Sequence, residues 1–160
     1  MNAGTKLALG SGVLAVVLIV AAVAVATPGS GVSAQILASG VKAEGLDVNR
    51  AGIDLKTKGA VQVVTQSVTL TPGATTGWHR HPGVPFATVT QGTVRLYRAN
   101  CQARAFGPGQ VFTHTSDDVH VVRNEGAGNA VFIVTYIKPS PTPALPNSVD
   151  EPAPAGCSVR

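Results

Sequence analysis

Residues 73–92 decide how this chain folds, and they read GATTGWHRHPGVPFATVTQG. His79 and His81 lie two positions apart in this stretch. On a β-strand, side chains two positions apart point to the same face, so both imidazoles can converge on one ion. Neutral imidazole is the commonest protein ligand for zinc, iron, nickel and copper. The pair predicts a metal site, but such pairs also occur where no metal binds, so the prediction depends on the surrounding residues.

Glycines and a second histidine segment lie at regular distances from this pair. Five residues separate Gly73 from His79, and ten separate Gly109 from His120. Three further residues lead from His120 to Asn124. These spacings reproduce the two sequence motifs that define the cupin superfamily.

The chain resembles the cupin superfamily over residues 69–137. The resemblance is closest to small exported cupins of one domain, which open on Trp-His-x-His-Pro-Gly and have one cysteine in mid-chain and another near the C-terminus. It implies an all-β fold, the double-stranded β-helix or jelly-roll barrel, with a divalent transition metal in the barrel mouth. By position in the motifs, His79, His81 and His120 would be the metal ligands.

Two departures from the motifs change the expected ligand set. Pro85 stands where the first motif usually has a glutamate, and proline has no side-chain ligand atom. Thr115 and Asp117 replace the proline and the glycine of the second motif. The loss of the carboxylate leaves a set of three histidines.

His114 is the remaining histidine of the chain, and its role is left open. It shares a predicted strand face with Phe112, a natural core residue, so both side chains would point into the barrel. His114 is then a fourth metal ligand, an acid or base group above the metal, or a hydrogen-bonded barrel histidine without a metal.

Two classes of function fit the predicted site. In the first, an exported metal-binding cupin holds Fe, Zn, Mn, Ni or Cu and binds a small molecule or ion without turnover. In the second, the protein is a non-haem metal-dependent dioxygenase of the three-histidine type that acts on a small molecule. An isomerase or hydrolase is less favoured, because the motif spacing places neither Tyr97 nor Glu125 as a base.

Residues beside the motifs are interpreted structurally. Trp78 is expected to pack at the pocket rim, and Arg80 to face away from the histidines. Asn124 is expected to hydrogen-bond backbone in a turn. An acidic residue of the turn at 117–118 is a candidate to orient His120.

Short β-branched segments separated by turns predict a series of strands. The first is expected over residues 61–70, ending in a turn at 71–73, and a hairpin is expected over 86–97 with its turn at Gly92. Further strands are expected at 110–114, 119–123 and 130–137. Many short strands with closely spaced turns imply a sandwich or a barrel.

Composition limits the other classes of protein. The 160 residues suffice for one domain, and a charged fraction of 12% disfavours long charged helices. The net charge of +4 comes from scattered basic residues, so no nucleic-acid partner is expected. A homodimer remains open, because jelly-roll faces commonly pair.

The N-terminal segment is set apart from the fold. Residues 7–26 are almost entirely apolar and follow Lys6. They predict either a secretory signal peptide cut before Gln35 or an uncleaved membrane anchor. Both alternatives place the rest of the chain outside the cytoplasm, secreted or membrane-anchored. The expected division is a signal or anchor (1–34), an extension with an edge strand (35–59), the barrel (60–138) and a Pro-rich tail (139–160).

The two cysteines, Cys101 and Cys157, predict a single disulfide in an exported chain. The bond would tie a mid-chain turn to the Pro-rich tail, which is otherwise expected to be mostly irregular. Closing a loop of this length stabilises the fold by about 4 kcal/mol in the chain-entropy model.

Overall fold

A computed structural model of the protein describes residues 26–115, 117–140 and 145–159. Within these ranges the regular secondary structure is entirely β. A search of the same residues for helices long and apolar enough to cross a membrane finds none. Residues 1–25, which make up most of the predicted signal or anchor (1–34), lie outside the described residues.

The described residues form twelve strands. In chain order they are β1 (Ser30–Lys42), β2 (Asp47–Arg50), β3 (Ile53–Lys56), β4 (Val61–Thr75), β5 (His79–Arg80), β6 (Val84–Gln91), β7 (Val94–Arg98), β8 (Ala103–Phe106), β9 (Val111–Thr113), β10 (His120–Arg123), β11 (Ala130–Pro139) and β12 (Val149–Asp150).

Two layers of antiparallel strands enclose the core. One layer has the order β1, β4, β11, β6, β9, and the other has the order β12, β5, β10, β7, β8. The pairing of Arg123 with Thr75 joins β10 to β4 and connects the two layers. The result is the jelly-roll barrel that the sequence predicts, while β2 and β3 form a separate hairpin.

The alternation of side chains along β11 shows how the core is built. Ala130, Phe132, Val134 and Tyr136 are buried, whereas the residues between them are at least partly exposed. Because successive side chains of a strand point to opposite faces, this period-two pattern turns one face of β11 towards the other layer. Burial of these apolar side chains is the main stabilising contribution to the barrel.

The predicted hairpin over residues 86–97 is wrong. β6 pairs with β9 and β11, whereas β7 pairs with β8 and β10 in the other layer. The chain reverses at Gly92, as predicted, with a φ of 67°. A Cβ there would lie 2.7 Å from the carbonyl oxygen of Asn129, so the position also requires glycine for space. The local sequence predicts where the chain reverses, but the packing of side chains across the core determines which strands pair.

β4 also continues beyond its predicted end at residues 71–73. Gly73 adopts a φ of 77°, and the β1 partners of β4 change register here, from Val32 opposite Leu70 to Ser30 opposite Thr75. The Thr-Pro-Gly signal therefore marks an irregularity inside an edge pairing rather than the end of a strand.

β1 is an edge strand of its layer and is exposed along its length. An edge strand is predicted in this part of the chain, within residues 35–59, and β1 begins before that range. Ser33 pairs with Thr69 and Ala34 pairs with Val68. The boundary expected after Ala34 thus falls inside the strand.

Candidate metal centre

Three histidines from two separate segments meet inside the barrel. His79 in β5 pairs directly with His120 in β10, and His81 follows two residues after His79. One ring nitrogen from each residue lies within 4.8 Å of the others. All three side chains are buried. The strand pairing therefore brings the two motifs to one point.

A hydrogen bond from Nδ1 to a backbone oxygen fixes the orientation of each of these rings. The Nδ1–H groups of His79, His81 and His120 donate to the carbonyl oxygens of Gly77 (2.8 Å), Asn147 (2.6 Å) and Asp118 (2.7 Å), respectively. A neutral imidazole that donates from Nδ1 keeps the lone pair of Nε2 available for a metal. The Nε2 atom of His120 is buried and has no hydrogen-bond partner among the described residues. These groups fit a divalent transition metal bound by three nitrogen ligands.

Burial lowers the pKa of every histidine in the barrel. The pKa of His81 falls to about 4, first because of desolvation and then because of the neighbouring His79 ring. The pKa of His114 falls to about 3 for the same main reason, with repulsion from His81 and His79 adding to it. Desolvation also lowers the pKa of His79 and His120. At neutral pH the rings are therefore uncharged, which is the form that binds a metal.

His114 lies beside the group of three histidines. Its ring centroid is 3.7 Å from that of His120 and 4.9 Å from that of His81. The side chain is buried, and neither ring nitrogen has a hydrogen-bond partner among the described residues. It lines the same cavity as Phe112, so the two side chains share a face of the predicted strand. The nitrogen group within 4.8 Å does not include His114.

The cross-strand pairing explains why His114 reaches this place. Thr113 pairs with Phe86, and its hydroxyl donates to the carbonyl oxygen of Pro85 at 2.6 Å. His114 therefore follows the residue that contacts Pro85, the position at which the first motif usually has a carboxylate. His114, which directly follows β9, thus lines the same cavity as Pro85.

A cavity of about 170 Å³ adjoins the histidines. Apolar side chains from both layers form much of its wall, among them Val68, Phe112, Val122 and Phe132. Gln66 and Tyr136 provide polar atoms on the same wall. Sequence reasoning missed these two residues, although each interrupts an apolar strand face with a polar group, which is a usable signal.

The C-terminal tail is fastened to the histidine segment. Trp78 is fully buried, as the expected packing role requires, and its Nε1–H donates to the carbonyl oxygen of Val159 at 2.8 Å. Arg80 points away from the histidines, as predicted, and forms an ion pair of 2.6 Å with Glu151.

The predicted disulfide joins Cys101 to Cys157. The described part of the tail, residues 145–159, is largely irregular, as expected, but it is held in place by these contacts and by the pairing of β12 with β5.

The remaining candidates have other roles. The backbone oxygen of Asp118, rather than its carboxylate, orients His120, and the carboxylate pairs with Arg98 at 2.7 Å. The Tyr97 hydroxyl donates to Glu125 at 2.5 Å on the exposed surface, so the structure does not bring either residue to the cavity.

Asn124 has the backbone role that was predicted. Its Nδ2 atom donates to the carbonyl oxygens of Leu70 (2.9 Å) and Gly128 (2.8 Å), and its Oδ1 atom accepts from the amide of Gly126. The side chain is buried and fixes the turn that separates β10 from β11.

Comparison with known proteins identifies one family. Residues 66–136 match the model of a family described as the cupin domain. None of the curated proteins matches the chain.

Three solved structures illustrate the likeness. An oxalate oxidase is 22% identical over 46% of this chain and 41% of its own, with a TM-score of 0.43. A sugar phosphate isomerase of the cupin superfamily from Silicibacter pomeroyi is 24% identical over 49% of this chain and 52% of its own, with a TM-score of 0.44. A cupin domain from Bordetella pertussis Tohama I is 21% identical over 68% of this chain and 95% of its own, with a TM-score of 0.48. The chain thus spans about half, or less, of the first two proteins, and no activity is carried over from any of the three.

Proposed function

The chain belongs to the cupin superfamily, and from this we propose that it is an exported protein that holds one divalent transition metal in the barrel mouth. His79, His81 and His120 would be the ligands. The observation that carries the proposal is the convergence of three buried imidazoles, each fixed at Nδ1 by a backbone oxygen. Each ring is thereby pre-oriented with Nε2 left for the ion.

The neutral ligand set favours activation of a bound molecule. Three uncharged imidazoles leave the full charge of the ion, whereas a carboxylate in place of Pro85 would have reduced it. A bound divalent ion supplies Lewis-acid chemistry to an oxygen or other donor atom of its ligand. The three histidines are compatible with Fe, Zn, Mn, Ni and Cu, because imidazole can be a ligand for each of these ions.

His114 is proposed as a hydrogen-bonding partner for a molecule held at the metal. Its two unpartnered nitrogens and its position beside His120 support this role. Its absence from the group within 4.8 Å favours it over a fourth ligand.

A non-haem dioxygenase of the three-histidine type is the second candidate function. The cavity beside the histidines favours it, because structural metal sites are typically closed whereas catalytic sites keep an open position. After anaerobic loading with Fe(II), oxygen consumption would be measured with catechols, thiols and flavonols. Uptake with one of these classes supports the dioxygenase, and no uptake with any of them contradicts it and favours binding without turnover.

Export is supported by two observations. The disulfide between Cys101 and Cys157 is compatible with an oxidising, extracellular compartment. The apolar segment over residues 7–26 has the composition of a signal peptide or an anchor. Cell fractionation of the host with an antibody to the barrel tests the proposal, and recovery in the cytoplasm alone would contradict it.

Metal content is the direct test of the proposed function. The protein is purified without a histidine tag, stripped with a chelator, offered each metal separately and subjected to elemental analysis. We expect about one ion per chain, and a loss of bound metal in H79A, H81A and H120A. H114A is the matched control, because it removes the same residue type from the same cavity and is expected to keep the metal. A native protein that takes up none of the metals would overturn the proposal.

A further inference from the structure

Four polar side chains form a continuous series of hydrogen bonds that begins at Lys138 in β11, passes through Asn147 in the tail and ends in the cavity. The Nζ atom of Lys138 donates to Oδ1 of Asn147 at 2.8 Å. The Nδ2 atom of Asn147 donates to Oε1 of Gln66 at 3.0 Å, and the Nε2 atom of Gln66 donates to the Tyr136 hydroxyl at 3.3 Å. None of these side chains belongs to the histidine group, and the function proposed above uses only the backbone oxygen of Asn147, which accepts from His81.

The direction of this series is fixed at its Lys138 end. An ammonium group can donate but cannot accept, so the atom of Asn147 that faces it must be the carbonyl oxygen. The amide nitrogen of Asn147 then faces Gln66, which must present its own carbonyl oxygen in return. The amide nitrogen of Gln66 is left for Tyr136, so the phenolic oxygen is the acceptor. The positive charge of Lys138 therefore sets the polarity of each following bond.

The consequence is that the hydrogen of the Tyr136 hydroxyl is available. The hydroxyl accepts from Gln66, and it donates to no acceptor among the described residues. Tyr136 lines the cavity, and its ring centroid lies 5.1 Å from that of His81. A buried hydroxyl donor without an acceptor is costly unless a bound molecule or water satisfies it.

The cavity itself limits the size and the polarity of that molecule. Its volume of about 170 Å³ is close to that of an engineered apolar cavity of about 150 Å³ that takes up benzene. Val68, Phe112 and Phe132 line it with apolar surface. Transfer of a charged group from water to such a wall is expensive unless an opposite charge meets it. Away from the metal, the side chains of this wall therefore favour an uncharged molecule about as large as a single six-membered ring.

We infer that Tyr136 donates a hydrogen bond to an acceptor oxygen of a small uncharged ligand, of about one ring in size, that binds in the cavity beside the histidines. The inference rests on the proposed function, because this ligand would share the cavity with the metal. Tyr136 is then a specificity-determining residue, and Gln66, Asn147 and Lys138 position its hydroxyl.

The test compares two probes that have the same shape. Cyclohexanone offers an acceptor oxygen, whereas methylenecyclohexane replaces that oxygen by a CH₂ group. Dissociation constants are measured by ligand-observed NMR on the full chain, both metal-loaded and metal-stripped, with cyclohexanecarboxylate as the charged probe. Y136F removes the donor and keeps the ring. Y97F is the matched control, because Tyr97 is the other tyrosine of the chain and lies on the exposed surface.

We expect Y136F to weaken the binding of cyclohexanone about two- to tenfold, the usual effect of one neutral hydrogen bond, and to leave methylenecyclohexane unchanged. Y97F should change neither constant, and the carboxylate should bind the stripped protein more weakly than cyclohexanone does. Q66L should reproduce part of the Y136F effect, because the hydroxyl can then rotate. Melting curves establish that each variant is folded.

Two results would overturn the inference. The first is a Y136F protein that binds cyclohexanone as tightly as the unaltered chain, and the second is a stripped protein that prefers the carboxylate. Elemental analysis of the same preparations separates this inference from the metal proposal. A Y136F effect in a chain that takes up no metal supports the hydrogen bond from Tyr136 to a ligand and refutes the metal site. Normal metal uptake without a Y136F effect refutes the inference alone.

Discussion

The Nδ1 atom of His81 donates a hydrogen bond to the backbone oxygen of Asn147, 2.6 Å away and 66 residues later in the chain. One ring of the histidine group is thus oriented by the C-terminal tail. The tail continues to Glu151, which pairs with Arg80, and to Cys157, which is bonded to Cys101. Contacts that hold the tail therefore also hold the candidate metal centre.

Loss of the disulfide should weaken both the fold and the site. The bond closes a segment with a sequence separation of 56 residues, for which the chain-entropy model gives about 4 kcal/mol. We expect C157S to lower the melting temperature by several degrees, and to weaken metal binding about tenfold or more because His81 loses part of its support. The double variant C101S/C157S controls for a reactive free thiol. Unchanged melting and unchanged metal affinity in both variants would contradict the prediction.

Acid should destabilise the metal-free protein through its buried histidines. An unfolded histidine has a pKa of about 6.5, whereas the pKa is about 4 for folded His81 and about 3 for folded His114. As the pH falls below 6.5, the unfolded chain takes up protons that the folded chain refuses, so stability decreases towards pH 4. H81N and H114N should each show a shallower fall of melting temperature with pH. K58A, which alters an exposed residue, should retain the full slope, and parallel curves for all four proteins would refute the argument.

The first residues of β1 should contribute to the barrel. A chain that begins at Gln35 loses the pairs of Val32 with Leu70 and of Ala34 with Val68, and it uncovers one side of the cavity. We expect its melting temperature to be several degrees below that of a chain that begins at Ala26. Equal melting temperatures would show that residues 30–34 are dispensable and would suit cleavage before Gln35.

Asn124 should be the most sensitive turn residue. N124A removes three hydrogen bonds and leaves the buried carbonyl oxygen of Leu70 without this donor. At about 1 kcal/mol for each bond, we expect the free energy of unfolding to fall by about 3 kcal/mol in urea titrations. N100A is the control, because Asn100 is exposed and accepts one local hydrogen bond. Equal losses in the two variants would be inconsistent with the buried role.

Much of the site could be predicted from local patterns. His79 and His81 share a face because they are two residues apart, and the motif spacing added His120. The hydrogen-bond partners of their Nδ1 atoms are harder to predict from the sequence. The oxygens of Gly77 and Asp118 lie two residues from their rings, whereas the oxygen of Asn147 comes from a tail that showed no regular pattern.

The strand pairing marks the limit of the same reasoning. The sequence predicts the reversal at Gly92, but it also predicts that the two flanking segments pair with each other, whereas β6 and β7 belong to different layers. Gln66 and Tyr136 lie on apolar strand faces. The hydrogen bond between their side chains becomes apparent only in the structure, where β4 and β11 pair.

The order of residues along the chain was sufficient to predict which side chains share a strand face, where the backbone reverses and that His79, His81 and His120 form a group that could hold a metal. These features depend on neighbours within a few positions, where sterics and the two-residue period act directly. The pairing of His120 with His79, the hold of Asn147 on His81 and the hydrogen-bond chain from Lys138 to Tyr136 depend on the folded barrel. Apolar burial brings these distant segments together, and it depends on how two whole layers pack rather than on any local signal.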